Sequence, residues 1–177
     1  MDSAQPADAM LRLYGIVKEF PGVRALDRVD LEIGQGEVHC LLGQNGAGKS
    51  TLIKVLSGAH RPAAGCITWL GDEVSFANPQ AAMRAGIATI FQELDLVEGL
   101  SVADNVFLGA EPRRLGFVQR GHMRTAAREV LARLGHGEMP VRREVAKLPS
   151  AAKQIVSVAW ALSKHARLLI MDVLHRS

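Results

Sequence analysis

Residues Gly43-Gln44-Asn45-Gly46-Ala47-Gly48-Lys49-Ser50, followed by Thr51, constrain this chain more than any other stretch, because they fit the spacing Gly-x4-Gly-Lys-Ser/Thr in full. Anion chemistry explains the spacing. Glycines let the backbone wrap an anion at dihedral angles that a Cβ would forbid. The N–H groups so freed turn inward as a nest. A helix beginning at the loop adds its positive end. Lys49 supplies a cation for the outer phosphates, and the Ser50 hydroxyl can ligate Mg2+. With 17 Gly in 177 residues, chance produces this pattern on the order of 0.004 times. The flanks agree. Val38–Leu42 is a short apolar run that reads as a buried parallel strand, and Lys49–Ser57 switches to helical spacing with Leu52, Ile53, Val55 and Leu56 apolar. The motif implies a nucleoside triphosphate bound with Mg2+.

A chain of 177 residues, 48% apolar and 22% charged, can bury a core and is not of disordered composition. Its net charge of +3 does not by itself argue for nucleic acid. Cys40 and Cys66 stand in apolar stretches without CxxC spacing, as small buried hydrophobes would. The N-terminus has no signal-peptide core, and no apolar run reaches the length of a membrane span.

Leu11–Val17 and Val29–Ile33 read as strands. Ile67–Leu70 and Val74–Phe76 flank Gly71-Asp72 as a hairpin. Asn78-Pro79 is a helix start with Gly86 as its stop, and Ile87–Phe91 is another strand. Ser101 with Asp104 opens a helix through Leu108 as an acidic capping box. Further helices are expected from His122 to Leu134, closed by Gly135, and from Pro149 to Ser163. Residues 111–147 hold nine Lys/Arg against four acids. Strands alternating with helices predict an α/β sheet with an inserted, mostly helical section at about 93–150.

Leu168-Leu169-Ile170-Met171-Asp172 is four apolar residues and then a carboxylate, the Walker B pattern. An Asp at the carboxyl end of such a strand can hold a metal-bound water opposite the loop. Gln92 follows Ile90-Phe91 at a strand end, where a polar turn residue is equally ordinary.

Three groups of residues together resemble the ATP-binding subunits of ABC transporters, in particular monosaccharide importers of the ribose, galactose and xylose type. They are Glu19-Phe20-Pro21-Gly22-Val23 with Ala25-Leu26, the loop Gly43–Thr51, and Ile90-Phe91-Gln92-Glu93-Leu94 running on to Ser101-Val102-Ala103-Asp104-Asn105-Val106-Phe107-Leu108-Gly109. The resemblance covers Leu11–Asp172. It implies an α/β P-loop ATPase core with an N-terminal antiparallel β part and an inserted helical subdomain, incomplete at the C-terminus. The divisions are a nucleotide-binding core at 11–92, a helical subdomain at about 93–150, and a return to the core at about 151–177. It also implies ATP and Mg2+ as cofactors. Gly43, Gln44, Asn45, Gly46, Ala47, Gly48, Lys49, Ser50 and Thr51 hold the phosphates, and Phe20 stacks on adenine. Gln92 reaches the metal and the attacking water, and Ser50, Gln92 and Asp172 are the metal ligands. The implied partners are a second ATP-binding domain, a membrane permease and, indirectly, a sugar-binding protein. Nucleic acid is not expected, and the implied location is the cytoplasmic face of the cell membrane, through the permease.

Two departures qualify the expected activity. The family's signature motif Leu-Ser-Gly-Gly-Gln corresponds to Leu148-Pro149-Ser150-Ala151-Ala152-Lys153-Gln154, where Pro149 takes the serine position and has neither hydroxyl nor N–H. After Asp172 the family has a glutamate that polarises the attacking water, and here Val173 follows. Valine cannot accept a proton, so poor hydrolysis is expected. The alternatives are a non-catalytic ATP-binding fragment or decayed-gene product, and a non-transport ABC ATPase acting on nucleic acid or ribosomes.

Overall fold

The computed structural model describes residues 9–44, 46–90, 96–114 and 117–172. The chain divides into two compact units, Met1–Ala82 and Met83–Ser177.

In the first unit, β1 (Ala9–Phe20) and β2 (Val23–Gly34) form a long antiparallel pair, and β1 also pairs with β3 (Ala64–Trp69), which pairs with β4 (Asp72–Val74). The sheet order is β2-β1-β3-β4. Leu11 and Leu13 are buried on alternate positions, as a half-buried strand requires. The next buried residue is Ile16, three positions on, because the register slips between Leu13 and Ile16. Gly15, at φ 59°, sits in this bulge and donates its N–H to Asp30 Oδ1 at 2.6 Å. The hairpin turns one residue earlier than expected. Its two loop residues are Leu70 (φ 54°) and Gly71 (φ 92°), and Asp72 is already in β4 opposite Trp69. Both positive angles match the right-handed twist of the strands. Helix α1 (Lys49–Leu56) touches β2 and buries Leu52, Ile53, Val55 and Leu56.

The expected strand Val38–Leu42 does not form. Residues 37–44 carry no regular structure, and Val38 and Leu42 are 89% and 91% exposed. A buried parallel strand needs neighbours to ladder with, and among the described residues none pairs with this segment. Cys40, expected to be buried, lies in the same segment and is exposed, while Cys66 is half-buried on β3; both are free.

Helix α2 (Pro79–Arg84) begins where Asn78 Oδ1 accepts the Ala81 N–H at 2.9 Å. Gly86 at φ 95° follows it. In the second unit, β5 (Ile87–Ile90) pairs in parallel with a strand from the far end of the chain, Leu168–Met171. Between them come α3 (Val102–Val106), the short hairpin β6 (Arg113–Arg114) and β7 (Phe117–Val118), α4 (Arg120–Arg133), a 3-10 turn at Val145–Lys147 and α5 (Ser150–Ser163), after which Leu168–Met171 is β8. Helix α3 stops two residues short of the expected end. The side chains of β8 are only partly buried, and Met171 is 42% exposed. A strand laddered on one edge by a single described partner leaves much of its surface open.

Val102, Ala103 and Val106 of α3, Ala127 and Leu131 of α4, and Val156 and Ala159 of α5 share one apolar core with Val141, Val145 and Leu148. The capping box closes at Ser101, whose hydroxyl accepts the Asp104 N–H while the Asp104 carboxylate takes the Ser101 N–H. The far end of α3 is closed by α5. Ser163 Oγ donates to Val106 O at 2.6 Å, and Lys164 Nζ donates to Leu108 O at 2.7 Å. Burial pushes the Lys164 ammonium below its usual pKa. Carbonyls that a helix end leaves without partners are thereby met.

Asn105 is 1% exposed and ties the preceding loop to α3. Its Oδ1 accepts the Val97 N–H at 2.8 Å, and its Nδ2 donates to Val97 O and Ser101 O, both at 3.0 Å. Asn105→Ala takes the partner from the Val97 N–H, while Val97 O and Ser101 O keep the backbone N–H groups of Leu100 and Asn105, so the expected loss is about 1–2 kcal/mol in the urea-unfolding free energy. Asn105→Asp keeps the acceptor for the Val97 N–H but buries a carboxylate whose second oxygen faces the Val97 and Ser101 carbonyls, so its loss is expected to exceed that of Asn105→Ala.

Candidate functional site

The phosphate loop follows the exposed segment 37–42 and feeds directly into α1. Gly46 (φ 86°) and Gly48 (φ 82°) adopt left-handed angles that suit glycine. Gly48 is also hemmed in. A Cβ built there would stand 2.5 Å from Ala25 O and 2.9 Å from Leu26 Cδ2, both on β2. At Gly46 a Cβ would meet nothing within 4 Å. One glycine is required by angle alone, the other by angle and by the strand beneath it. The contact with Ala25 and Leu26 has no signature in the spacing of the loop, since it joins residues more than twenty positions apart.

Lys49 curls back over the loop. Its Nζ donates to Gly43 O and to Gln44 O, the latter at 2.7 Å. Ala47 N–H closes the turn onto Gln44 O at 3.1 Å. Gly48 is the N-cap of α1 and gives no side-chain cap, and no acid lies in the first turn. The N–H groups of that turn and the Lys49 ammonium therefore present one positive end without a competing carboxylate. This donor set fits a polyphosphate. Ser50 is exposed at the second position of the helix. Among the described residues no cluster of three or more His, Cys, Asp or Glu could hold a metal ion.

The other expected site residues divide as follows. Phe20 ends β1 and is 38% exposed; its ring meets His60 edge-on at 5.4 Å, with Lys18 Nζ 5.3 Å from the ring centroid. Asp172 follows β8, and its N–H donates to Ile90 O at 3.0 Å, extending the ladder with β5 by one bond. It belongs to the second unit and the loop to the first. Asn45, Gln92 and Val173 lie outside the described residues. Pro149 is the N-cap of α5 at φ −66°, where it costs the helix nothing, and Ser150 begins the helix, exposed. Lys153, one turn on, pairs with Glu98 at 2.6 Å, and that bond holds the Glu98 carboxyl below its usual range.

An antiparallel β part, a glycine loop running into a helix with lysine at its head, and a parallel strand pair ending in Asp together define a P-loop ATPase fold. The ABC transporter family profile matches residues 26–173, and the chain belongs to that family. It is 54% identical over 166 residues to the ribose import ATP-binding protein RbsA 1 of Streptomyces avermitilis, covering 94% of this chain and 32% of the relative. It is 46% identical to the arabinose import ATP-binding protein AraG of Chromohalobacter salexigens, over 94% of this chain and 33% of the relative. The chain thus spans about a third of the length of these relatives. Among solved structures, cbiO1 from Clostridium perfringens, part of an ABC transporter complex, superimposes with a TM-score of 0.78 at 26% identity, over 93% of this chain and 65% of that one. An ATP-binding cassette of an ABC transporter in its ADP conformation superimposes with a TM-score of 0.79 at 24% identity, over 91% of this chain and 67% of that one, a likeness of fold.

Proposed function

We propose that this chain binds Mg-ATP through Gly43–Thr51 as the ATP-binding component of a sugar-import system. The observation that carries the reading is the loop itself: two left-handed glycines, an uncapped helix start and Lys49 folded over the loop. The relatives' names, a ribose and an arabinose import ATP-binding protein, support the sugar class. In this reading Lys49 and the N–H groups of the first turn of α1 take the phosphate oxygens, in place of the carbonyl bonds that Lys49 now makes. The Ser50 hydroxyl ligates Mg2+, which supplies neutralising charge to the β- and γ-phosphates. Asp172 and Gln92 complete the metal and water positions, and Phe20 stacks on adenine. Residues 93–150 are the helical subdomain that docks on a membrane permease, at the cytoplasmic face of the membrane. A second ATP-binding domain closes on the nucleotide, and a sugar-binding protein delivers the sugar. No helix among the described residues is long and apolar enough to cross a membrane.

The metal role separates this reading from simple anion binding. ATP titrated into the chain is expected to bind more tightly with Mg2+ than with EDTA, and Ser50→Ala is expected to flatten that difference by about tenfold, the worth of one lost ligand at roughly 1.4 kcal/mol. Equal affinity with and without Mg2+ in the unaltered chain would reduce the site to a basic surface.

A further inference from the structure

Arg128 of α4 and the segment 137–142 line the two sides of a cleft of about 450 Å3, all of it within the second unit. Backbone packing sets its walls. A Cβ built on Gly137 would stand 3.2 Å from Ala132 Cβ, so the segment leaves α4 in close contact with it. The His136 N–H donates to Leu131 O at 2.8 Å, and the Met139 N–H donates to His136 O at 3.0 Å. The Arg143 N–H closes a turn onto Pro140 O at 2.9 Å, and Val141 O accepts the Ala103 N–H of α3 at 2.9 Å. Val141, which is buried, and the half-buried Met139 give the cleft an apolar lining. Arg128, Arg142 and Glu138 line the same cleft and are exposed. Among the described residues none of these three side chains forms an ion pair.

The three unpaired charges specify a ligand. A guanidinium only donates, and its planar fork matches the oxygens of a phosphate. A carboxylate only accepts, so Glu138 calls for hydroxyl donors and repels a second anionic group. The cleft is of small-molecule size. We infer that it binds a phosphorylated sugar: Arg128 and Arg142 hold the phosphate monoester, Glu138 accepts hydroxyls, and Met139 and Val141 meet the C–H face of the ring. The bound phosphate bridges α4 to the segment that carries Val141, and through Val141 O to α3, so occupancy braces the helical core. The choice of a sugar as the hydroxylated body rests on the sugar-import reading above; the anion site rests on the side chains alone.

The test uses the full 177-residue chain without nucleotide. The probes are ribose 5-phosphate, ribose and inorganic phosphate at matched ionic strength. Affinity is read by calorimetric titration. Hydrogen exchange at the amides of 137–143 separates this cleft from the phosphate loop. Ribose 5-phosphate is expected to bind saturably, to slow exchange at 137–143, and to bind at least tenfold more tightly than either ribose or inorganic phosphate. In the doubly substituted chain Arg128→Gln, Arg142→Gln, its affinity is expected to fall about tenfold or more. Because both side chains are exposed, that variant's own melting temperature is expected to stay unchanged. Glu138→Ala is expected to weaken ribose 5-phosphate but not inorganic phosphate, which loses a repelling charge. Absence of binding, binding undiminished by the double substitution, or protection without any at 137–143 would overturn the proposal. So would inorganic phosphate bound as tightly as ribose 5-phosphate, which would leave an adventitious ion only. The import reading fails by a different measurement, loss of the Mg-ATP shift that depends on Lys49, and that loss with ribose 5-phosphate still bound at 137–143 would leave this cleft standing.

Discussion

Gly48→Ala is expected to destabilise the first unit by about 3 kcal/mol and to abolish nucleotide binding, whereas Gly46→Ala costs only about 1–2 kcal/mol. The two glycines share a left-handed backbone, at φ 82° and 86°. An L-residue held there pays roughly 1–2 kcal/mol at either position. The difference lies in what a methyl would strike. At Gly48 the new Cβ meets the Ala25 carbonyl at 2.5 Å and Leu26 at 2.9 Å, so the loop must lift off β2; at Gly46 the space is open. Lifting the loop displaces the head of α1, and Lys49 with it. Urea-unfolding midpoints of the two variants give the comparison. Equal losses would mean that the packing of Gly48 on β2 contributes nothing.

Hydrolysis is expected to be the weak step of this chain. In the proposed reading the position after Asp172 calls for a carboxylate to polarise the attacking water, and Val173 has none. A positioned general base is worth on the order of 10²–10⁴ in rate. Single-turnover hydrolysis of bound ATP is expected to rise by about that factor in Val173→Glu and to stay flat in Val173→Gln, which matches the size of glutamate without its basicity. A rise in both variants would assign the effect to shape. No rise in Val173→Glu, with ATP still bound, would remove position 173 from the reaction.

Which features could be read in advance follows from the range of the forces that set them. The Asn78 cap and the Ser101–Asp104 capping box are fixed by residues within a few positions of each other, and both take the expected form. The helix α4 ends at the glycine that its spacing indicated, Gly135, at φ 78°. The hairpin turn moved by one residue because Leu70, an unusual occupant of a left-handed position, precedes Gly71. The strand at 38–42 was the larger miss. Its composition is that of a buried strand, but ladder partners are set by chain far away, and the apolar run is exposed without them. The same holds for Asn105, whose three bonds to Val97 and Ser101 depend on how the loop before α3 returns to it. Of the site, the loop was legible as chemistry. The support of Gly48 by Ala25 and Leu26 was not, because nothing local records which strand lies beneath a loop.

The central claim is that this chain captures Mg-ATP through Lys49 and the loop that precedes it. A thermal melt of the purified chain with and without Mg-ATP, beside Lys49→Ala, tests it most directly. Ligand at about 100 times its dissociation constant adds roughly 2.7 kcal/mol to a folded binder. The account predicts an upward shift of the melting temperature with Mg-ATP that Lys49→Ala loses while keeping its unliganded melt. A cooperative melt that Mg-ATP does not move, or a shift that Lys49→Ala retains in full, would contradict it.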